Sequence, residues 1–374
     1  MSEISQLETP AAVVDLDRLT RNLDRAATYA TAHGLALRPH AKTHKASWIA
    51  AEQMRRGAVG VTCATPREAE IMSAVSGDIL VAYPPVGKGR AERIAQLARS
   101  DKLTVALDSL EAIDHIERAA TAAKVQVGVY VELDLGMHRV GVSAIESAIG
   151  LAKRVEASPS LSYEGIAFYP GHIRESVATQ DNALSELSTT LGRALDALAT
   201  AGVPPRVVSG GSTPTLWQTH RITGVTELRP GTYVFNDRTT AEIDACSWDD
   251  CALTVLATVV STAVPGQAVI DAGSKALGRE PLRAADGGGG FGALLDRPDV
   301  VVKSMSEEHG LLDLSGSSWR PRVGEVVRVV PNHVCIVVHL NDVMFGVRGE
   351  QVESTWSVEA RGRGFAGTST SSRG

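Results

Sequence analysis

The densest chemistry in this 374-residue chain lies in Arg38-Pro39-His40-Ala41-Lys42-Thr43-His44-Lys45. Cationic and potentially cationic side chains crowd that stretch. An amine held among other cations and partly out of water loses its proton more readily, which Schiff-base chemistry requires. A solvated helix start would account for the same composition. Two other segments bear on the choice. Ser209-Gly210-Gly211-Ser212-Thr213 and Gly231-Thr232-Tyr233 carry small residues that let backbone N–H groups approach an anion, and a short helix after Gly211 would aim its positive end at it. A third pattern is His333 and Cys335, two apart in an apparent strand, so that both side chains share one face. Imidazole and thiolate suit Zn²⁺. A buried thiol beside a hydrogen-bonded histidine reads the same spacing without a metal. If a metal is held, two protein ligands leave positions open for water and a substrate oxygen, as a Lewis acid needs.

These segments need one scaffold to bring them together. Short apolar runs alternate with amphipathic stretches from about residue 11 to 240. Strands are expected at 35–40, 59–63, 79–82, 103–107, 125–133, 163–169, 206–209 and 227–235. Helices are expected at 16–32, 47–56, 66–75, 90–99, 110–123, 144–157 and 182–201, with a short one near 214–220. Eight strands joined by helices is the count of a (β/α)₈ barrel. In that fold active sites gather where strands end, and phosphate is bound after strands seven and eight. Lys42 then follows the first strand, Gly210-Gly211-Ser212 the seventh, and Gly231-Thr232 falls after or within the eighth. That address suggests a phosphorylated cofactor opposite the lysine. A doubly wound sheet is the rival, but no Rossmann glycine fingerprint follows the first strand. The predicted class is α/β, a TIM-like barrel over 16–243 followed by a mostly β domain made of 1–15 and 244–360. Strands of that domain are expected at 254–263, 267–271, 300–304, 324–330, 334–340, 343–348 and 351–356. Residues 286–292 read as a mobile glycine-rich loop and 361–374 as a disordered tail.

Composition narrows the partners. The net charge is −6 with no basic block, which argues against nucleic acid. No apolar run approaches the ~20 residues that span a bilayer. The N-terminal residues are polar and carry no secretory signal, so a cytoplasmic protein is expected. Four scattered cysteines make no disulfide framework in a chain this long.

Taken together, these segments resemble a known family. Added to them are Thr9-Pro10, Gly136-Met137-His138-Arg139-Val140-Gly141-Val142, Pro214-Thr215, Glu227-Leu228-Arg229-Pro230, Asp271-Ala272-Gly273, Glu308-His309-Gly310 and Pro331-Asn332-His333-Val334-Cys335. In order, across almost the whole chain, they are similar to the alanine-racemase-fold (fold type III) pyridoxal 5′-phosphate enzymes, in the D-serine dehydratase and D-threonine aldolase group. The resemblance implies that Lys42, rather than Lys45, carries the cofactor, and that the protein is a homodimer. It implies a divalent metal at His333 and Cys335, Zn²⁺ foremost, with Mn²⁺ or Mg²⁺ as alternatives. It places Arg139 near the pyridine nitrogen. Cofactor contacts are expected from His40, Tyr169, Ser209, Gly210, Gly211, Ser212, Thr213, Gly231, Thr232 and Tyr233. Tyr169 and His172 join Lys42 as acid/base candidates, although a core tyrosine and a loop histidine would explain them equally well.

The function so implied is a lyase acting on small D-3-hydroxy amino acids. D-Serine, D-threonine or D-3-hydroxyaspartate would yield a 2-oxo acid and ammonia. Aldolases of this group look to place Asp where this chain has Cys335, so His-x-Cys is similar to the dehydratases. Retro-aldol cleavage to glycine and an aldehyde is the alternative. An amino-acid racemase or a non-catalytic cofactor carrier stand behind it. A carrier would be expected to lack the β domain and its His-x-Cys pair.

Overall fold

The computed structural model describes residues 3–282 and 289–362. The chain enters through β1 (Ala11–Asp15), which feeds directly into α1 (Leu16–Ala32). Asp15 ends the strand and starts the helix, its carboxylate accepting the N–H groups of Asp17 and Arg18. Eight parallel strands follow: β2 (Ala36–Leu37), β3 (Val61–Cys63), β4 (Asp78–Val81), β5 (Lys102–Leu107), β6 (Val127–Leu133), β7 (Leu161–Phe168), β8 (Val207–Gly210) and β9 (Glu227–Leu228). Between them run α2 (Ser47–Arg55), α3 (Pro66–Met72), α4 (Lys88–Leu97), α5 (Leu110–Ala123), α6 (Ile145–Glu156) and α7 (Asp181–Thr200). From β3 to β9 the strands pair in sequence order, β2 pairs with β9, and β2 meets β3 through an isolated bridge between His40 and Thr62.

The first and last barrel strands are shorter than the apolar runs that contain them. Pro39 and Pro230 offer no N–H to a neighbour, which ends ladder pairing there. The ring still closes. Thr62 N–H donates to the Pro39 carbonyl and Ala41 N–H to the Thr62 carbonyl, both at 2.8 Å. Below the mouth the barrel interior is charged. Arg38 donates to Glu227 and to Asp78, each at 2.7 Å, and Gly60 leaves the room for its guanidinium. The helix expected near 214–220 is a 3₁₀ turn at Leu216–Arg221.

After α8 (Arg238–Glu242) the chain turns to a second sheet. Its strands are β10 (Leu253–Ser261), β11 (Gln267–Ile270), β12 (Gly292–Leu294), β13 (Arg297–Met305), β14 (Gly310–Asp313), β15 (Val326–Pro331), β16 (Val343–Arg348) and β17 (Gln351–Ser357). A short helix, α9 (Ser274–Leu277), follows β11. β1 inserts between β10 and β16. The expectation for 334–340 is corrected: α10 (Val334–Leu340) is a helix, not a strand. Val334, Val337 and Val338 are its buried face, a helical spacing that its β-branched composition disguises. Of the two segments expected to lack order, 286–288 of the glycine-rich stretch and 363–374 of the tail lie outside the described residues, while Gly292 of the former opens β12. One core joins the two sheets, since Leu19, Leu23 and Ala26 of α1 pack in the same cluster as Val255, Val334 and Val338. Among the described residues no helix is long and apolar enough to cross a membrane.

Candidate active site

The strand ends of the barrel surround a cavity of about 310 Å³. Its walls include His40, Lys42, Arg139, Tyr169, Gly211, Ser212, Thr213, Gly231 and Thr232. The two lysines of the first loop part company here. Lys42 lines the cavity, with Nζ 5.9 Å from the centre of the Tyr169 ring. Lys45 is buried in an ion pair with Glu68 and does not line it. His40 is buried against Lys42, its Nδ1 accepting the Lys42 N–H at 3.4 Å. Burial first, and then the cationic Lys42 and Arg229, push His40 well below the usual imidazole range, so its ring is neutral.

Opposite Lys42 the wall is backbone. Gly211 has φ +85, a left-handed conformation natural to glycine. A β-carbon on Gly231 would stand 2.7 Å from Thr43 Oγ1, so only glycine fits. Tyr233 N–H donates to Thr213 Oγ1, locking one loop to the other. The N–H groups of Thr213 and Thr232 donate to no group among the described residues. Such a cradle of small residues and free donors fits a phosphate. The lysine, the cavity and the cradle fit the pyridoxal phosphate expected from the sequence.

Other expected residues lie elsewhere. Ser209 and Gly210 sit in β8, outside the cavity wall; Ser209 Oγ donates to Glu227 at 2.6 Å, and Gly210 packs on the Phe168 ring. The Tyr233 side chain points into the core, where its Oη accepts from Gln53 at 3.0 Å. His172 is exposed beside Gly136 and does not line the cavity. Arg139 does, its guanidinium 5.0 Å from the Tyr169 ring centre.

Two charged wall residues escaped sequence reasoning, Glu132 at the end of β6 and Arg229 just past β9. Strand-end position was the available signal. Arg229 is buried, donates to the Phe168 carbonyl at 2.8 Å, and leaves its Nε without a partner. Burial pulls Arg229 below its ordinary value while Glu132 and Glu227 oppose. Burial likewise raises the Glu132 carboxyl.

The second half of the site comes from the β domain. His333 is the N-cap residue of α10, and Cys335 lies in that helix's first turn. Their proximity survives the change from strand to helix, since each group still acts on the charge of the other. Cys335 Sγ lies 3.3 Å from Thr43 Oγ1, the residue after Lys42. His333 Nδ1 donates to Asp237 Oδ2 at 3.1 Å. Attraction to Cys335 outweighs burial and, with Asp237, lifts His333 to about 11. Burial raises the Cys335 thiol, but the His333 charge and hydrogen bonds override it and bring it to about 7. Each group thus favours the charged form of the other, and a metal ion would take the proton's place. Among the described residues no three His, Cys, Asp or Glu side chains form a set that could hold one ion, so a metal on His333 and Cys335 would keep open positions.

The chain matches known proteins along most of its length. The alanine racemase N-terminal domain family matches residues 14–239, and a serine dehydratase domain family matches residues 252–347. The 3-hydroxy-D-aspartate aldolase of Paracoccus denitrificans is 32% identical over 96% of this chain and 94% of its own. The D-threo-3-hydroxyaspartate dehydratase of a Delftia species is 35% identical over 88% and 91%. A cysteine-to-alanine form of that enzyme, solved metal-free, superimposes with a TM-score of 0.87 at 30% identity, covering 98% of this chain and all of that one. The D-threonine aldolase of Filomicrobium marinum gives 0.88 at 32% identity, covering 96% of both chains. The cavity, the lysine and these matches agree: the chain belongs to the alanine-racemase-fold pyridoxal-phosphate enzymes, in the group that joins an alanine racemase N-terminal domain to a serine dehydratase domain.

Proposed function

We propose that the protein is a lyase that removes water from a small D-3-hydroxy amino acid to give a 2-oxo acid and ammonia. The observation that carries this reading is the meeting of Cys335 with Thr43, which brings a metal-ligating pair from one domain against the Lys42 loop of the other. Pyridoxal phosphate in the cavity would be held by Lys42 and by the backbone around Gly211, Thr213, Gly231 and Thr232. Bound there, it supplies an electron sink for charge developing at the substrate Cα. The Lys42 amine, freed when substrate binds, takes the Cα proton. Arg139 and Arg229 hold the cavity's charge but are donors that keep their protons, so neither can protonate a ring nitrogen. The sink is then a modest one, and assistance at the β-hydroxyl is chemically useful. A divalent metal on His333 and Cys335 supplies it as a Lewis acid. A thiolate donor favours Zn²⁺ over Mn²⁺ or Mg²⁺. Tyr169 orients the cavity between Lys42 and Arg139. A homodimer in the cytoplasm belongs to the same reading.

Thiolate at position 335 favours dehydration. Similarity to aldolases over 96% of the chain favours the second reading, cleavage of Cα–Cβ to glycine and an aldehyde. Product analysis separates them. D-Threonine should yield 2-oxobutyrate and ammonia, and a chelator should stop it. Glycine and acetaldehyde as the main products would replace dehydration with the aldolase reading, and an unchanged rate with chelator would remove the metal.

A further inference from the structure

We propose that Asp237, a residue of the barrel's closing turn, is the positioning carboxylate of the metal pair and fixes which nitrogen of His333 faces the metal. The inference rests on the metal reading above. Asp237 is wholly buried. Its carboxylate is divided between two tasks. Oδ1 caps α8, accepting the Thr240 N–H at 2.9 Å and the Thr240 hydroxyl at 3.0 Å. Oδ2 reaches 96 residues along the chain, accepting His333 Nδ1 at 3.1 Å and the Val334 N–H at 3.3 Å. A helix cap needs only the first oxygen. The second is satisfied entirely by the turn that carries the metal pair.

The consequence is tautomeric. With its Nδ1 proton committed to Asp237, a neutral His333 presents Nε2 as its free lone pair. The backbone bond from Val334 holds the start of α10 to the same carboxylate, so ring orientation and helix position are set together. The His333 side chain does not cap its own helix, which leaves it available. Cys335 is then placed on Thr43 by the first turn of that helix.

The test uses the cofactor-loaded protein and Zn²⁺ itself, with affinity read by competition against a chromophoric chelator. Asp237→Asn keeps size and can still cap Thr240 through its oxygen. Its amide would then present N–H groups to His333, turning Nδ1 into an acceptor and placing the ring proton on Nε2, where it blocks the metal. Zn²⁺ affinity should fall roughly 10- to 100-fold, the usual loss when a histidine ligand's partner is removed. Thr240→Val is the control: it removes the Thr240 hydroxyl from the capping box, keeps the backbone N–H bond to Oδ1, and should lower the melting temperature while leaving Zn²⁺ affinity within about twofold. Equal Zn²⁺ affinity in Asp237→Asn and wild type overturns the proposal. So does an equal loss in both variants, which would make Asp237 a structural cap only. A second measurement is independent of folding in any variant. In the Zn²⁺-loaded wild type, ¹⁵N–¹H spectra assigned with His333→Ala should show the His333 proton on Nδ1, and a proton on Nε2 overturns the proposal. Wild-type protein that binds no Zn²⁺ removes the metal reading and this inference with it. Metal-loaded wild type with an indifferent Asp237→Asn removes only the inference.

Discussion

The two halves of the site are built on different principles. The cofactor half is mostly backbone: glycines at positions 211 and 231, free N–H groups, and one lysine on the loop after β2. The proposed metal half is all side chain: a thiol, an imidazole and a buried carboxylate that meet at the starts of two short helices, α8 and α10. A backbone cradle is fixed by the barrel and tolerates changes in its neighbours. A side-chain corner depends on each member. The cofactor should therefore bind without the metal, while catalysis should need both.

The largest expected effect is at Lys42. Lys42→Ala should abolish the visible Schiff-base absorbance and all activity, and borohydride should tag Lys42 alone in the wild type. Lys45→Ala should keep the absorbance and instead lose stability, about 3–5 kcal/mol by chemical denaturation, because Glu68 would be left buried without its partner. A tag on Lys45 would reverse the two roles.

Next in size is the metal half. His333→Ala or Cys335→Ala should cut turnover by roughly 10³-fold, since Lewis-acid stabilisation is worth several kcal/mol. Both variants should retain the visible absorbance. Loss of colour and activity together would mean that the halves are not separable.

A smaller effect concerns stability against pH. Burial, the largest influence on buried His44, pushes it down to about 4 from an ordinary 6.5. Between those values the unfolded chain takes up a proton that the folded protein refuses. Stability should therefore be full above pH 6.5 and fall as pH drops toward 4, by about 3 kcal/mol from this residue. Denaturant midpoints across that range, with His44→Asn flattening the slope, would check it.

Gly211→Val should weaken cofactor binding by about tenfold or more while costing ~1–2 kcal/mol in folding, because a β-branched residue resists φ +85. An unchanged cofactor dissociation constant would remove this loop from the cradle. The subtlest change is Cys335→Asp, which should move metal preference toward Mn²⁺ or Mg²⁺ and raise aldol cleavage relative to dehydration.

Legibility followed the same division. Barrel and cradle could be read because βα repetition and strand-end addresses are local signals. Lys42 was distinguishable from Lys45 only through family resemblance; physically the difference is Glu68, 23 residues on. The His333 and Cys335 pair was read on the wrong backbone, since Val-Cys-Ile-Val-Val has strand composition and helical burial. Asp237 and Thr43 were not singled out, because their partners His333 and Cys335 lie 96 and 292 residues away in sequence. Arg229 stood within a quoted motif, but nothing local shows that its Nε lacks a partner.

The measurement that tests the central claim most directly is turnover of D-threo-3-hydroxyaspartate by wild type and by Cys335→Ala, with the visible spectrum recorded alongside. The account predicts oxaloacetate and ammonia from the wild type, sensitive to chelator, and a coloured, metal-free, inactive variant. A coloured Cys335→Ala protein that turns over at the wild-type rate would contradict it.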